Sequence, residues 1–388
     1  MVIFFYIKKK MYSIQKINTL YIFKNMPLIF DIFLSPNNKI LTIILNPIFH
    51  LQNIEKYKKN ITKLYNQQLF IDYSNLFVKI NSQRFPYNWI GEKDYKLIIT
   101  TDINFEFEKL NVTVGVKKYK WIGEIEKRND SHLFEGKTGI MTLFKNENNF
   151  LLPWLQYYDK MGIDYFFIYN NNPINKKLYN KIYEKFNNRV IFYDWDFPYF
   201  LHEWPPCGAQ LSAMNHNLHK YKNMKWIGYF DLDEYIIPLK NNNLQELLNN
   251  ICEQHEWNNL STLEILCMWF GCGRKTKWNP QNFTQKMIYC KGSTENQNDK
   301  NSIAKINAKC FHNPLQTNLI GVHKPVIFNK KYISLEDKLV RFNHYFMISS
   351  WGKERHFLNC KEKECNCDIL CVFENVDILK FFTPFSIS

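Results

Sequence analysis

The sequence predicts an α/β fold: a Rossmann-like, mostly parallel sheet flanked by helices, with a β-rich accessory region before it. Two observations predict it. From about residue 139 to residue 230, short apolar strands alternate with helical stripes, the rhythm of a parallel sheet covered by helices. The last of these strands, Trp226 to Phe230, runs directly into Asp231-Leu232-Asp233, so two carboxylates arrive where open α/β sheets bind ligands.

Residues 1 to 135 read as irregular, with strand pieces at Tyr95 to Thr101, Asn111 to Val116 and Lys118 to Ile125. They carry no motif with chemistry and form the expected accessory region. The alternation begins with Ile140 to Phe144 and the polar turn Lys145-Asn146-Glu147. Leu151, Trp154, Leu155, Tyr158 and Met161 then recur every three or four residues, one apolar face of a helix. Gly162 follows as its C-cap, and Pro153 is placed in or near its first turn. Tyr165 to Tyr169 reads as the next strand, closed by Asn170 and its neighbours. Ile174, Leu178, Ile182 and Phe186 mark a second helix, and Val190 to Tyr193 a third strand. Leu211, Met214, Leu218 and Tyr221 mark a third helix, which precedes the acidic strand. Right-handed crossovers put the turns after parallel strands on one edge of the sheet, so Asn146, Asn170 and Asp231 are expected together. Further on, Leu244 to Ile251 reads as a helix and Thr262 to Phe270 as one apolar run.

Composition narrows the function classes. Hydrophobic residues make up 46% of the 388 residues, enough apolar surface to exclude disorder of the whole chain. The formal net charge of +14 favours polyanionic partners. Yet Lys, Asn, Ile, Phe and Tyr all have AT-rich codons, and no Arg-rich cluster interleaved with aromatics marks a nucleic-acid face. No segment offers the roughly 18 to 20 apolar residues of a membrane span. Met1 to Ile7 precedes Lys8-Lys9-Lys10, the reverse of a secretory signal, so a cytoplasmic location is expected, viral or host-cell cytoplasm included. Cys360, Cys365, Cys367 and Cys371 crowd the C-terminal segment without the paired spacing of a zinc knuckle.

The acidic turn carries the chemistry. Mn²⁺ and Mg²⁺ favour hard oxygen ligands and take one or two carboxylates with substrate phosphates. A bridging divalent ion stabilises the charge on a departing nucleoside diphosphate. The structural alternative for Asp231 or Asp233 is a cap on the following turn. His323 and His344 are candidates for the metal shell or diphosphate contact, with His323 preferred because Lys324 beside it offsets phosphate charge. Glu264 is the first candidate for an acceptor base and Glu234 the second. Trp269 and Trp351 could stack on acceptor sugars or pack in the core.

Several stretches together resemble glycosyltransferase family 92 and related family-2-like domains. They are Phe144-Lys145-Asn146-Glu147, Leu152-Pro153-Trp154-Leu155, Gly162-Ile163-Asp164-Tyr165 through Asn170, and Phe230-Asp231-Leu232-Asp233-Glu234-Tyr235. Gln210, Ala213, Phe270-Gly271, His323-Lys324-Pro325 and Asn343-His344-Tyr345 follow in order. The resemblance covers about residues 139 to 357 and implies a GT-A fold, a nucleotide-sugar donor and usually Mn²⁺. It implies that Asp231 and Asp233 hold metal and diphosphate, and that Lys145, Asn146, Glu147 and Asn170 surround the nucleoside. Two departures stand out: Asn170-Asn171 replaces an Asp-Asn pair, and Asn282-Phe283-Thr284 stands where a Glu-Arg-Phe element is expected.

The expected organisation is an accessory region over 1–135, a GT-A glycosyltransferase domain over 136–358 and a Cys-containing segment over 359–388. The expected site comprises catalytic Glu264 and Glu234, donor-binding Lys145, Asn146, Glu147, Asn170, Asp231 and Lys324, and metal-binding Asp231, Asp233 and His323. Mn²⁺ or Mg²⁺ is the expected cofactor, and the partners are a nucleotide-sugar donor and a glycan or glycoprotein acceptor, in an inverting transfer. The alternatives are a non-catalytic relative that binds a sugar nucleotide or glycan, and a basic nucleic-acid-binding protein.

Overall fold

The computed structural model describes residues 14–23, 26–46, 73–92, 95–173, 175–197, 209–271, 289–291, 307–345 and 373–374. Trp351, Asn282-Phe283-Thr284 and the four clustered cysteines lie outside the described residues.

A mixed α/β architecture results. Its eight-stranded sheet runs in the order Ile14–Gln15, Val190–Asp194, Tyr165–Asn170, Thr138–Phe144, Trp226–Tyr229, Lys309–His312, Leu260–Ile265, Lys331–Ser334. The first five strands are mutually parallel. Lys309–His312 runs antiparallel to both neighbours. Going outward from Thr138–Phe144, the chain first adds strands on one side, then returns to place Trp226–Tyr229 on the other. Such a reversal opens a crevice at the carboxyl ends of the two central strands.

Among the described residues four α-helices cover the sheet: α1 (Asn148–Lys160), α2 (Lys176–Phe186), α3 (Ala209–Lys220) and α4 (Leu244–His255). Leu151, Trp154 and Leu155 of α1, Ile182 and Phe186 of α2 and Leu247 and Leu248 of α4 share one core. Met214 and Leu218 of α3 share a second core that takes in the opposite sheet face. Helix α1 ends as the sequence expects: Gly162 adopts φ +85°, a left-handed conformation that Gly takes without penalty. Pro153 sits one turn deeper than expected, because the helix begins at Asn148, three residues before its apolar stripe.

The N-terminal region is more regular than its sequence suggests. One antiparallel sheet contains Leu20–Phe23, Met26–Leu34, Ile40–Leu45, Tyr95–Asp102 and Asn88–Glu92; another contains Tyr119–Glu126, Lys109–Val116, Leu76–Ile80 and Gln83–Phe85. Leu41, Ile43 and Leu45 join Val78, Val112 and Val114 between the two sheets. Ile44 points the other way, into the core shared with α3. A strand buried on both faces reads as an unbroken apolar run, without the alternation that reveals a half-exposed strand. Ile14–Gln15 also contributes an edge strand to the large sheet, so the accessory region is built into the α/β core.

A further five-stranded sheet joins Glu234–Pro238, Val340–His344, Cys267–Gly271, Tyr289–Lys291 and Phe373–Glu374. The apolar run from Thr262 to Phe270 therefore divides at Leu266, its two halves serving different sheets. Among the described residues no helix is long and apolar enough to cross a membrane.

Candidate functional site

The carboxyl ends of the parallel strands collect the polar turns. Phe144 is paired with Asn170, and Asn170 with Asp194; Asp231 follows the strand just across the chain reversal. The expected gathering of Asn146, Asn170 and Asp231 on one edge is what this topology gives.

Their exposures differ. Lys145 and Asn146 are exposed and Glu147 is half-buried. Asn170 is buried, and its side-chain amide donates to the Asn172 carbonyl at 2.7 Å. The Asn172 side-chain oxygen accepts from the Asn146 backbone N–H at 2.7 Å. Asn146 itself has φ +63°, a conformation that Asn tolerates better than most residues. The Asn170-Asn171-Asn172 segment thus braces the turn that presents Lys145 and Asn146. Asn171 ties it sideways, donating to the carbonyls of Trp195 and Phe197.

The acidic turn is held from several sides. Tyr158 donates to the Glu234 carbonyl at 3.0 Å and Tyr157 to the Ile236 carbonyl at 2.6 Å, so α1 anchors the strand that leaves the turn. Lys309, from the antiparallel strand next door, places its ammonium 2.9 Å from Asp231 Oδ2 and 3.3 Å from Glu234 Oε2. Glu234 Oε2 also accepts the Asp231 backbone N–H at 2.9 Å. Asp231, Glu234 and Lys309 therefore form a closed ring. On the other side of the turn, His344 Nε2 lies 3.4 Å from Asp233 Oδ2, because the strand ending at His344 pairs with Glu234. Trp269 packs edge-on against the His344 ring.

Charge follows this geometry. Partial burial works against ionised Asp231, but the Lys309 ammonium outweighs it and holds the carboxyl below its ordinary range. Burial pushes Glu234 up to about 7, against the opposing pull of Lys309. Burial disfavours the His344 cation as well, yet Asp233 raises that ring well above the usual imidazole range.

The residues fit a divalent cation of modest demand. A carboxylate oxygen and an imidazole nitrogen 3.4 Å apart suit neighbouring positions on one ion, and Mn²⁺ accepts both donor types. Asp231 offers one oxygen at most, since Lys309 occupies the other. Among the described residues no group of three or more His, Cys, Asp or Glu could enclose a metal unaided. Substrate phosphates and water would complete the shell, as is common for Mg²⁺ sites.

The other expected residues are less central. His323 turns Nδ1 to the Ala308 carbonyl at 3.2 Å; it senses the charge of Asp231 and Lys309, while His344 is the histidine beside a turn carboxylate. Lys324 pairs with Glu264 at 3.3 Å. Glu264 is opposite Cys310 in the ladder, whereas Lys309 is one residue away. Side chains alternate along a strand, so Glu264 faces away from Lys309 and the acidic ring. That position does not suit a base working at the turn. Lys309 went unnoticed in the sequence, although a Lys among Ala308, Cys310 and Phe311 is a signal for a buried, paired cation.

The chain is similar to known proteins over its α/β part. The family model described as glycosyltransferase family 92 matches residues 140–376. A family 92 protein of Ricinus communis is 29% identical over 136 residues, covering 34% of this chain and 22% of the relative. One from Oryza sativa subsp. japonica is 25% identical over 207 residues, covering 53% of this chain and 32% of the relative. One from Arabidopsis thaliana is 24% identical over 160 residues, covering 38% and 25%. The matched part thus spans a third or less of each of these relatives.

Proposed function

The chain belongs to glycosyltransferase family 92, and from that premise we propose that it is a metal-assisted GT-A enzyme moving a sugar from a nucleotide-sugar donor to a glycan or protein-linked acceptor. The observation that carries this reading is the position of Asp231-Leu232-Asp233, at the chain reversal of the parallel sheet with His344 beside Asp233.

Asp233 and His344 would hold Mn²⁺ or Mg²⁺, with Asp231 adjacent. When bound, such a cation neutralises the diphosphate that leaves the sugar. Asp231, fixed by Lys309 and Glu234, accepts a hydrogen bond from a donor hydroxyl through its remaining oxygen. Exposed Lys145 and Asn146, with Glu147, contact the nucleoside from the turn that Asn170 braces. Glu234 orients Asp231. We propose an inverting course with it, because Lys309 engages both Asp231 and Glu234 and Asp233 faces the cation position, so these three carboxylates are committed to other partners. The position of Glu264 favours one alternative, a relative that binds the donor without turnover.

The test is a thermal-stability titration with nucleoside diphosphates and sugar nucleotides, with and without Mn²⁺. A ligand at a hundred times its dissociation constant adds about 2.7 kcal/mol. A Mn²⁺-dependent shift with one nucleotide, absent from the Asp231→Ala, Asp233→Ala double variant, is the expected result. A shift without turnover against any acceptor selects the binding-only alternative. No shift with any nucleotide would overturn both readings.

A further inference from the structure

The ring at the acidic turn has a further consequence for cation binding. Its third member is a positive charge built into the protein: the Lys309 side chain is 4% exposed, and its ammonium bridges Asp231 and Glu234. We infer that Lys309 is a positioning residue that withholds one oxygen of Asp231 from any cation, leaving Asp233 and His344 as the protein's own ligands among the described residues. The inference rests on the cation-assisted reading above and concerns how that site is tuned.

The geometry supports it in three steps. Lys309 comes from the strand Lys309–His312, held between Trp226–Tyr229 and Leu260–Ile265 by ladder bonds on both sides, so its backbone cannot drift from the turn. Its amine reaches Asp231 Oδ2 at 2.9 Å, the distance of a charge-assisted hydrogen bond. Glu234 Oε2 bonds both the Asp231 backbone N–H and Lys309, so the backbone of Asp231 is fixed and turning its carboxylate toward a cation breaks the bond to Lys309. An ammonium here also repels a divalent ion directly. Together these make the free protein a weak cation binder, whose affinity is completed when donor phosphates arrive.

The decisive variant is the charge-balanced pair Glu234→Gln with Lys309→Met. It removes one negative and one positive charge, keeps side-chain volumes close, and leaves an amide oxygen to accept the Asp231 N–H. A buried ion pair replaced in this way generally keeps its fold, and circular dichroism and thermal melting check that it does. Mn²⁺ affinity, read from the electron paramagnetic resonance signal of the free ion, is the measurement. The double variant should bind Mn²⁺ about tenfold more tightly than the wild type, a difference of about 1.4 kcal/mol. Adding Asp231→Asn to it should abolish the gain. A merely structural ion pair would not change Mn²⁺ affinity, so equal or weaker binding by the folded double variant overturns the inference, as does undetectable binding by both proteins. Binding by the variant with none by the nucleotide-free wild type supports the inference, and the metal-assisted reading then stands or falls separately on the Mn²⁺-dependent nucleotide titration.

Discussion

Two clusters in this molecule contain the same kinds of groups and do opposite things with them. One is the acidic turn, with Asp231, Asp233, Glu234, Lys309 and His344. The other lies where the N-terminal strands meet α3. There Asp31 accepts from His216 at 2.8 Å and from Lys220 at 3.2 Å, and the Asn18 backbone N–H donates to its second oxygen at 2.6 Å. Burial lowers His216 to about 4, so the ring is neutral; it donates from Nε2 to Asp31 and accepts at Nδ1 from the Tyr169 hydroxyl at 2.6 Å. Asp31 and His216 are completely buried, whereas Asp233 and His344 keep 10% and 20% of their side chains exposed and neighbouring Asp231 keeps 36%. A carboxylate–histidine contact alone therefore does not mark a functional site. Access to the carboxyl edge of the sheet distinguishes the two, and the sealed cluster is a fastener between the N-terminal strands and the core.

The largest effect should come from acid. His216, His219 and His312 are lowered by burial to about 4, about 3 and about 3. In the unfolded chain each returns to about 6.5 and binds a proton first, so stability falls as pH drops from 6.5 toward 4. A tenfold change in proton affinity is worth about 1.4 kcal/mol, so the three together amount to several kcal/mol. Asp31 is also lowered, with Lys220 and His216 outweighing its burial, and its contribution is lost only at still lower pH. Urea unfolding at pH 7 and pH 4.5 checks this. Equal stability at both would mean that the fastener admits protons and is not sealed.

Asp31→Asn should rank next. It leaves Lys220 buried beside an amide, and breaking a buried pair by removing one partner costs about 3–5 kcal/mol. The same exchange at Asp233 should cost less urea stability than Asp31→Asn, because its partner His344 can give up its proton, while weakening Mn²⁺-dependent nucleotide binding at least tenfold, roughly 1.4 kcal/mol. Reversal of the two phenotypes would dissolve the distinction between fastener and site.

Much of the α/β core was legible because its helices carry clear apolar stripes and its strands end in polar turns. Leu151, Trp154, Leu155 and Tyr158 all lie in the core, as their spacing predicts. Ile40–Leu45 was missed because burial on both faces erases alternation. Position along the chain sufficed to set Asp231 and Asn146 on the carboxyl edge of the sheet, because both follow strands. It could not place His344 beside Asp233, a contact made by strands more than a hundred residues apart. Lys309, Asp31 and His216 belong to the same class: each partner is set by sheet order, and no local spacing encodes it.

The smallest expected effect concerns Glu264. The sequence offered it as a base on the strength of an apolar strand near Phe270-Gly271, but strand register directs it to the face of Cys310, away from Lys309. It is 3% exposed, with the Lys324 ammonium at 3.3 Å and a bond from Tyr332. These partners suit a carboxylate that secures the 317–328 hairpin to the sheet. Glu264→Gln keeps the shape and loses only charge assistance, so stability should drop by about 1 kcal/mol and Mn²⁺-dependent nucleotide affinity should change less than about twofold. Donor turnover, measured on the same samples, separates the two roles sharply. A fall of about a hundredfold in kcat with KM unchanged is the signature of an interaction made only in the transition state. It would mean that the acceptor approaches from the α3 side of the sheet, with Glu264 as its base after Lys324 moves aside. Unchanged turnover would confine the chemistry to the open side of the acidic turn.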